Sequence, residues 1–363
     1  MVDDQNETVN WPKKLSLKHG IDCTIRSRSC AGEQRPLCWT MDAACRQVGV
    51  GEMRVLVLGA GGIGGFFGGR IAAAGVDVTF LVRRARAEQL SRDGLIVVSP
   101  LGDFRLPVKT ALEVNRPFDL ILLACKAFDL RSATASIAPA VGASTVIIPL
   151  LNGLRHLSSL DGDFPSAQVL GGLCHIGVTL TPEGRIEHLN KLQHFSLGPR
   201  SAQQRLAAEA AHQVVARGGF SPVLSESITQ DMWEKFVFLT AYAGITCLMR
   251  APVGVIAGSR FGTSIATELL EECAAVATAS GYAPRPNFLA DSRETLTDRQ
   301  SKGTSSMLRD IQRGARTEHD HILGDMLGRA SLLSVATPVL RIADTALRAY
   351  EQTLPGSADR LGA

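Results

Sequence analysis

The chain has 363 residues, of which 45% are hydrophobic and 20% are charged, and its formal net charge is +3. This length suggests two domains with a substantial core. The balanced charge excludes a strongly basic nucleic-acid-binding protein and an acidic disordered chain. No apolar run reaches the roughly 18 residues that a transmembrane helix needs, so no membrane association is expected. The 35 glycines and the 5% aromatic share favour an α/β enzyme.

Residues 1–52 show no sustained hydrophobic period, which predicts a disordered extension or, alternatively, an overcalled start with Met53 as the natural first residue. Four of the eight cysteines lie in this segment without forming a CxxC pair, so no zinc site is expected there. The other four are scattered through apolar stretches. That distribution is typical of small core residues in a reduced, cytoplasmic protein.

From Met53 onwards, apolar strands alternate with helices, and this order predicts a parallel, doubly wound sheet of the Rossmann type. Strands are predicted at residues 55–58, 76–82, 119–125 and 145–151, helices at 63–74 and 129–141, and a hairpin at 95–108. Further strand-like segments are predicted at residues 169–180, 193–197 and 220–224, with a helix at 202–216.

After Ser225 apolar residues recur at helical spacing, which predicts an all-helical C-terminal domain. Its helices are predicted at residues 233–249, 264–279, 306–329 and 338–350. The expected organisation is an N-terminal Rossmann-type domain at 53–224, a helical domain at 225–352, and a polar tail at 353–363.

The turn between the first strand and the first helix carries a GxGxxG pattern, formed by Gly59, Gly61 and Gly64 with Gly62 and Ile63 between them. In a dinucleotide-binding site these glycines permit a tight turn, close approach of the pyrophosphate and close packing of the helix on the sheet. The alternative is a glycine-rich packing turn. The correct strand and helix on either side favour the dinucleotide site.

The end of the second strand carries Arg83 and Arg84 where an NAD-binding fold would place an acid. A guanidinium pairs well with a 2′-phosphate, which a carboxylate would repel. The sequence therefore favours NADP, with Arg83 as a cofactor-binding residue. For Arg84 a solvated position at the start of a helix is the preferred interpretation.

Two further polar residues directly follow predicted strands, Lys126 after residues 119–125 and Asn152 after residues 145–151. Ligands bind at this edge of such a sheet. Position alone leaves each residue open between a ligand contact and ordinary loop polarity.

In the C-terminal half, Lys235 lies on an apolar helix face, where an unpaired ammonium is costly to bury, although a snorkelling lysine is the common explanation. Glu318 begins a second polar stretch. The two histidines that follow it at positions 319 and 321 cannot share one helix face, so no metal site is expected. Ser305 and Ser306 suggest a helix N-cap first and a substrate contact second.

Together these segments resemble the ketopantoate reductase (2-dehydropantoate 2-reductase) family over about residues 53–350. The motifs that carry the resemblance are GAGGIGG, CKAFD, LLNGL, WEKFVF and SSMLRDIQRGARTEHDHILG. The resemblance implies a Rossmann domain followed by a helical domain, with the active site between them. It implies that Lys235 is the catalytic lysine and Glu318 a substrate-orienting acid. Lys126 and Asn152 then match cofactor or substrate contacts, and Ser306 a carboxylate-binding serine.

The resemblance therefore implies NADPH-dependent reduction of a 2-keto acid, by default ketopantoate to pantoate in pantothenate biosynthesis. Asparagines expected in the family are replaced by Leu239, Ala243, Val253 and Gly303, which makes the predicted pocket more apolar. Two alternatives follow: a reductase of a more apolar 2-keto acid and a non-catalytic NADP-binding sensor. Many similar proteins are dimers, so a homodimer is a further expectation that the sequence leaves open.

Overall fold

A computed structural model describes residues 53–355 of the chain. The predicted extension at residues 1–52 and most of the predicted tail therefore lie outside the described residues. The strands are β1 (Val55–Leu58), β2 (Val78–Leu81), β3 (Leu95–Val98), β4 (Phe104–Leu106), β5 (Lys109–Ala111), β6 (Phe118–Leu123), β7 (Val141–Pro149), β8 (Gly171–Leu180), β9 (Ile186–Gly198) and β10 (Val223–Leu224). The helices are α1 (Gly62–Ala73), α2 (Arg84–Asp93), α3 (Leu130–Ile137), α4 (Arg155–Asp163), α5 (Arg205–Ala216), α6 (Ile228–Met249), α7 (Val253–Gly258), α8 (Gly262–Ala279), α9 (Pro286–Thr297), α10 (Ser306–Gln312), α11 (Asp325–Leu332) and α12 (Pro338–Gln352).

Five strands form a parallel sheet in the order β5-β2-β1-β6-β7. Alternate residues of β1 belong to two different cores, Val55 and Val57 on one face and Leu56 and Leu58 on the other. Both faces are therefore covered, which is why the strands are almost continuously apolar. The predicted Rossmann-type sheet is confirmed.

The remaining strands form a second sheet of mixed direction, in the order β10-β9-β3-β4 with β8 beside β9. The hairpin of β3 and β4 matches the prediction. Strand β9 is much longer than the segment predicted at residues 193–197. Its first half was not predicted because it is mostly exposed and dominated by polar side chains. This sheet and helices α1 and α5 cover one face of the parallel sheet.

The C-terminal region is helical, and its core is continuous with the other face of the parallel sheet. Long helix α6 lies at its centre, with Trp233 and Phe236 buried in that core. This shared core holds the helical region against that face of the sheet.

The single helix predicted at residues 306–329 is wrong. Helix α10 ends at Gln312, and Gly314 adopts a φ of +65°, a left-handed conformation that interrupts the helix. A π-helical turn at Asp320–Gly324 then leads into α11. The break matters because it frees Glu318 from helical geometry.

Within residues 53–355 no helix is long and apolar enough to cross a membrane. The same residues contain no group of three or more histidine, cysteine or acidic side chains placed to hold a metal ion. His321 instead stacks on the buried ring of His156, with ring centroids 5.7 Å apart.

Candidate active site

A cleft of about 550 Å³ lies at the carboxyl edge of the parallel sheet, between the sheet and the helical region. Loops after β1, β6 and β7 contribute Gly61, Lys126 and Asn152 to its walls. The helical region contributes Ser306 and Glu318. Five residues singled out from separate parts of the sequence thus line one cavity.

The glycine turn forms one end of this cleft. Gly59 has a φ of +93°, which residues with a Cβ rarely adopt, and a Cβ on Gly64 would collide with the carbonyl oxygen of Gly59. A Cβ on Gly61 would meet nothing within 4 Å, so the backbone here faces open space. Because Gly61 immediately precedes α1, the turn fits a pyrophosphate placed at a helix N-terminus.

Lys126 connects the two sides of the cleft. Its Nζ lies 3.1 Å from Asp310 and 3.3 Å from Glu318, both in the helical region. Burial opposes the charged form, but the two carboxylates outweigh it and raise the pKa of Lys126 above its ordinary value. Lys126 therefore remains an ammonium and balances two acids at the cleft wall.

Glu318 is buried, with 5% of its side chain exposed, and its second oxygen accepts a hydrogen bond from the backbone N–H of Ala127 at 2.9 Å. Among the described residues, Glu318 makes no hydrogen bond to Lys235. The hydrogen bonds of the carboxylate instead go to Lys126 and Ala127. The negative charge of Glu318 acts on Lys235 through space and so opposes the lowering of the lysine's pKa by burial.

Lys235 is buried in the first half of α6, and its Nζ donates a 2.8 Å hydrogen bond to the carbonyl oxygen of Cys174 in β8. Cys174 lines the cleft, so the ammonium lies directly behind the wall. Burial lowers the pKa of Lys235 below its ordinary value. A buried ammonium with a single backbone partner is unlike a snorkelling lysine, whose charge stays in water.

Arg83 lies at the end of β2 with 81% of its side chain exposed, and it forms a 3.0 Å ion pair with Asp129. Arg84 begins α2 and is exposed, in agreement with the solvated position preferred for it. The predicted phosphate-binding arginine therefore already has an acidic partner, which lies 46 positions away in the sequence.

The two serines separate into different roles. Ser305 is the N-cap of α10: its Oγ accepts hydrogen bonds from the Leu308 N–H at 3.1 Å and from the Thr246 hydroxyl at 2.9 Å. Ser306 is half-buried and lines the cleft. The capping interpretation thus applies to Ser305, and Ser306 faces the space in which a substrate would bind.

Three cleft residues were missed as individual site candidates, although the SSMLRDIQRGAR motif contains them. Asp310 pairs with both Lys126 and Arg313, and Arg313 also reaches across to Thr179 in β8 at 3.3 Å. Arg309 is held by the carbonyl oxygen of Thr304 at 2.8 Å. Only their position beside the cleft reveals them, because alternating charges on a short helix resemble an ordinary solvated face.

The positions of the replaced asparagines lie on α6, at the start of α7 and just before α10, and none of them is among the residues that line the cleft. Leu239 is half-buried, and Ala243 and Val253 are each 1% exposed. At Gly303 an added Cβ would lie 2.7 Å from the hydroxyl oxygen of Tyr242. The tyrosine thus occupies space that a larger residue at position 303 would need.

A second cavity, of about 810 Å³, lies on the far side of Glu318 and is lined by α3, α4 and residues 316–321. It is larger, but its walls include neither the glycine turn nor Lys126. The smaller cleft is therefore the candidate active site, because it alone of these two cavities joins the glycine turn to the predicted catalytic region.

Comparison with known proteins agrees with this geometry. The family model described as ketopantoate reductase PanE/ApbA matches residues 55–202, and the model of its C-terminal part matches residues 227–351. An uncharacterised oxidoreductase, YkpB of Bacillus subtilis, is 37% identical over 301 residues, covering 82% of this chain and 99% of that protein.

Two solved structures are also similar. The 2-dehydropantoate 2-reductase of Geobacter metallireducens superposes with a TM-score of 0.76 at 26% identity, over 82% of this chain and 99% of that one. A D-mandelate dehydrogenase in complex with NADH and anilino(oxo)acetate gives a TM-score of 0.77 over 83% of this chain and 99% of its own. Its 20% identity shows the fold alone. The matched models cover most of the chain, and the chain therefore belongs to the ketopantoate reductase PanE/ApbA family.

Proposed function

We propose that this protein, an oxidoreductase by its family, catalyses NADPH-dependent reduction of a 2-keto acid to a 2-hydroxy acid. The default substrate is 2-dehydropantoate, which would place the enzyme in pantothenate biosynthesis. One observation carries the proposal: a single cleft has the glycine turn at one end and Lys126 paired with Glu318 in its wall, while the buried Lys235 lies behind Cys174.

The glycine turn and the start of α1 fit the pyrophosphate of a nicotinamide dinucleotide, which supplies the hydride when bound. Reduction of the keto group leaves an alkoxide that must be protonated. Lys235 is suited to this step because an ammonium stabilises the developing charge and provides the proton. Its lowered pKa makes it a stronger acid than a solvated lysine.

To reach the substrate, the Nζ of Lys235 must exchange the carbonyl oxygen of Cys174 for the substrate oxygen. The partner it leaves is a neutral carbonyl, so this exchange separates no ion pair. Glu318 would accept a hydrogen bond from a substrate hydroxyl. Lys126 would donate one to an oxygen of the cofactor or of the substrate. Ser306 and Asn152 provide further hydrogen-bonding groups in the cleft.

In the proposed enzyme, residues 53–224 bind the cofactor, and residues 225–352 supply the substrate-binding and catalytic groups. A cytoplasmic location is also proposed, because the described cysteines are free thiols, as is usual in reducing compartments. A homodimer stays a prediction.

The apolar replacements favour a second candidate, a reductase of the same family that acts on a more apolar 2-keto acid. Ala243 and Val253 are buried apolar residues where the resemblance predicts asparagines, so their side chains offer no hydrogen bond to the hydroxyl group of 2-dehydropantoate. The likeness in fold to a D-mandelate dehydrogenase, solved with NADH and anilino(oxo)acetate, supports this candidate. The non-catalytic sensor is less well supported, since a sensor needs neither Lys235 nor Glu318.

A panel of 2-keto acids tests these candidates. The protein is mixed with NADPH and with 2-dehydropantoate, a branched aliphatic or an aromatic 2-keto acid, and the nicotinamide absorbance is followed. Fastest loss of absorbance with 2-dehydropantoate supports the default, and fastest loss with an apolar acid supports the second candidate. Binding of NADPH without turnover on any acid would point to the sensor.

A further inference from the structure

An ion pair bridges two loops on opposite sides of the glycine turn. Arg83 follows β2 and Asp129 follows β6, and these strands are the two neighbours of β1. The pair, with its atoms 3.0 Å apart, therefore spans the carboxyl end of β1. Both charges act on the thiol of Cys125, which lines the cleft, so the pair lies at the rim of the candidate cofactor site.

The end of β2 is where the ribose 2′ position of a dinucleotide lies in this type of fold. A 2′-phosphate at that place requires an uncompensated cation, and a carboxylate close by repels it. Arg83 supplies the cation, but Asp129 neutralises it in advance. A phosphate must either displace Asp129 or share the guanidinium with a second anion.

We infer that Asp129 is a specificity-determining residue that weakens the preference for a 2′-phosphorylated cofactor by holding Arg83 in an ion pair. The inference rests on the proposed nicotinamide-dependent function. It assigns cofactor choice to the balance between two side chains rather than to Arg83 alone. The neighbouring Arg84, which is exposed, retains a positive charge at the same rim.

The test compares the unaltered protein with Asp129→Asn, which removes the negative charge at nearly constant size. Dissociation constants for NADPH and NADH are measured by fluorescence titration. We expect NADPH to bind about tenfold more tightly to the variant, which corresponds to the free energy of about one charge-assisted hydrogen bond. The dissociation constant for NADH should change by less than about twofold. The double variant Arg83→Ala/Asp129→Asn should lose the gain.

Asp77→Asn is the matched control. Asp77 forms a comparably exposed ion pair with Lys109, at 2.7 Å, but precedes β2 and so lies at the opposite end of the same strand. This variant should leave the affinity for both cofactors unchanged. Thermal unfolding of all variants is recorded to check that they fold. Asp129→Asn should keep the loop folded, because the Asp129 side chain makes no capping hydrogen bond to α3.

The outcomes separate the inference from the proposed function. If both cofactors bind but Asp129→Asn leaves their affinity ratio unchanged, the inference is overturned. A loss of NADH affinity with no gain for NADPH would overturn it as well. If the unaltered protein binds neither cofactor, the proposed function itself fails. A gain for NADPH that persists in the double variant would contradict the role given to Arg83.

Discussion

Glu318 binds Lys126 across the cleft, with 3.3 Å between carboxylate oxygen and ammonium nitrogen, and so joins the helical region to the edge of the parallel sheet. Lys126 is 44% exposed on its side chain, whereas Glu318 is almost fully buried. The acid is therefore the fixed member of the pair, held also by the N–H of Ala127. A substrate hydroxyl that enters the cleft meets an oriented carboxylate instead of a mobile one.

This orientation predicts the behaviour of Glu318→Ala. Loss of the carboxylate would remove the proposed substrate contact and release Lys126, so the KM for the 2-keto acid should rise by about tenfold or more, with a smaller fall in kcat. Steady-state kinetics at saturating cofactor measure both constants. A fall in kcat as large as that caused by loss of Lys235, at unchanged KM, would instead place Glu318 in the chemical step.

Lys235→Ala should lower kcat by about 10²–10⁴-fold, the usual contribution of a positioned general acid. The affinity for the dinucleotide should barely change, because the glycine turn and Arg83 lie on other elements. Lys109→Ala is a suitable control, since Lys109 is an exposed lysine in β5 that pairs with Asp77. Near-normal turnover of Lys235→Ala would show that the lysine is structural.

The proposed role of Lys235 also predicts a pH dependence. Only protonated Lys235 can donate a proton, so kcat should fall as the pH rises through the pKa of this group. Burial lowers that pKa, so the fall should be centred below 10.5, the ordinary value of a lysine side chain. The profile of kcat against pH at saturating substrate measures it. A high-pH limb centred at or above that ordinary value would assign the proton to another group.

Much of this site follows from local sequence signals, because its cofactor half depends on short-range patterns. Gly59, Gly61 and Gly64 have fixed spacing, and the strands around them are short and continuously apolar, so the turn could be placed without the structure. Lys126 and Asn152 were located in the same way, as polar residues that directly follow buried strands.

The contacts across the cleft could not be predicted, because they join distant parts of the chain. Asp310 and Lys126 are 184 positions apart, and no periodicity links them. For helix α2 only the start at Arg84 was predicted and not its extent, since Leu90 is its only buried residue and its hydrophobic pattern is weak. The helix break near Gly314 was not predicted, because apolar residues on both sides of it keep helical spacing and the hydrophobic pattern shows no interruption there.

Arg83 predicts a preference for NADPH over NADH in the unaltered protein. Arg83→Ala should lower the ratio of kcat/KM values for NADPH and NADH by about tenfold, the lower end for a charge-assisted contact, because Asp129 already shares the guanidinium. Arg205→Ala removes a similarly exposed arginine that pairs with Glu209 and should leave the ratio unchanged. Equal use of both cofactors by the unaltered protein would contradict the predicted preference.

The glycine turn offers a matched pair of substitutions that separates folding from cofactor binding. Gly64→Ala places a Cβ against the carbonyl oxygen of Gly59, and such overpacking should lower the free energy of unfolding by about 1–3 kcal/mol. Gly61→Ala meets open space at an ordinary φ of −82°, so its thermal stability should stay close to that of the unaltered protein.

Gly61→Ala should nevertheless weaken dinucleotide binding by about tenfold or more, because its methyl group stands where the pyrophosphate must approach the backbone. Calorimetric unfolding and fluorescence titration, applied to both variants, measure the two effects separately. If Gly61→Ala bound NADPH and NADH as tightly as the unaltered protein, the pyrophosphate could not lie against this turn, and the cofactor would have to be placed elsewhere in the cleft.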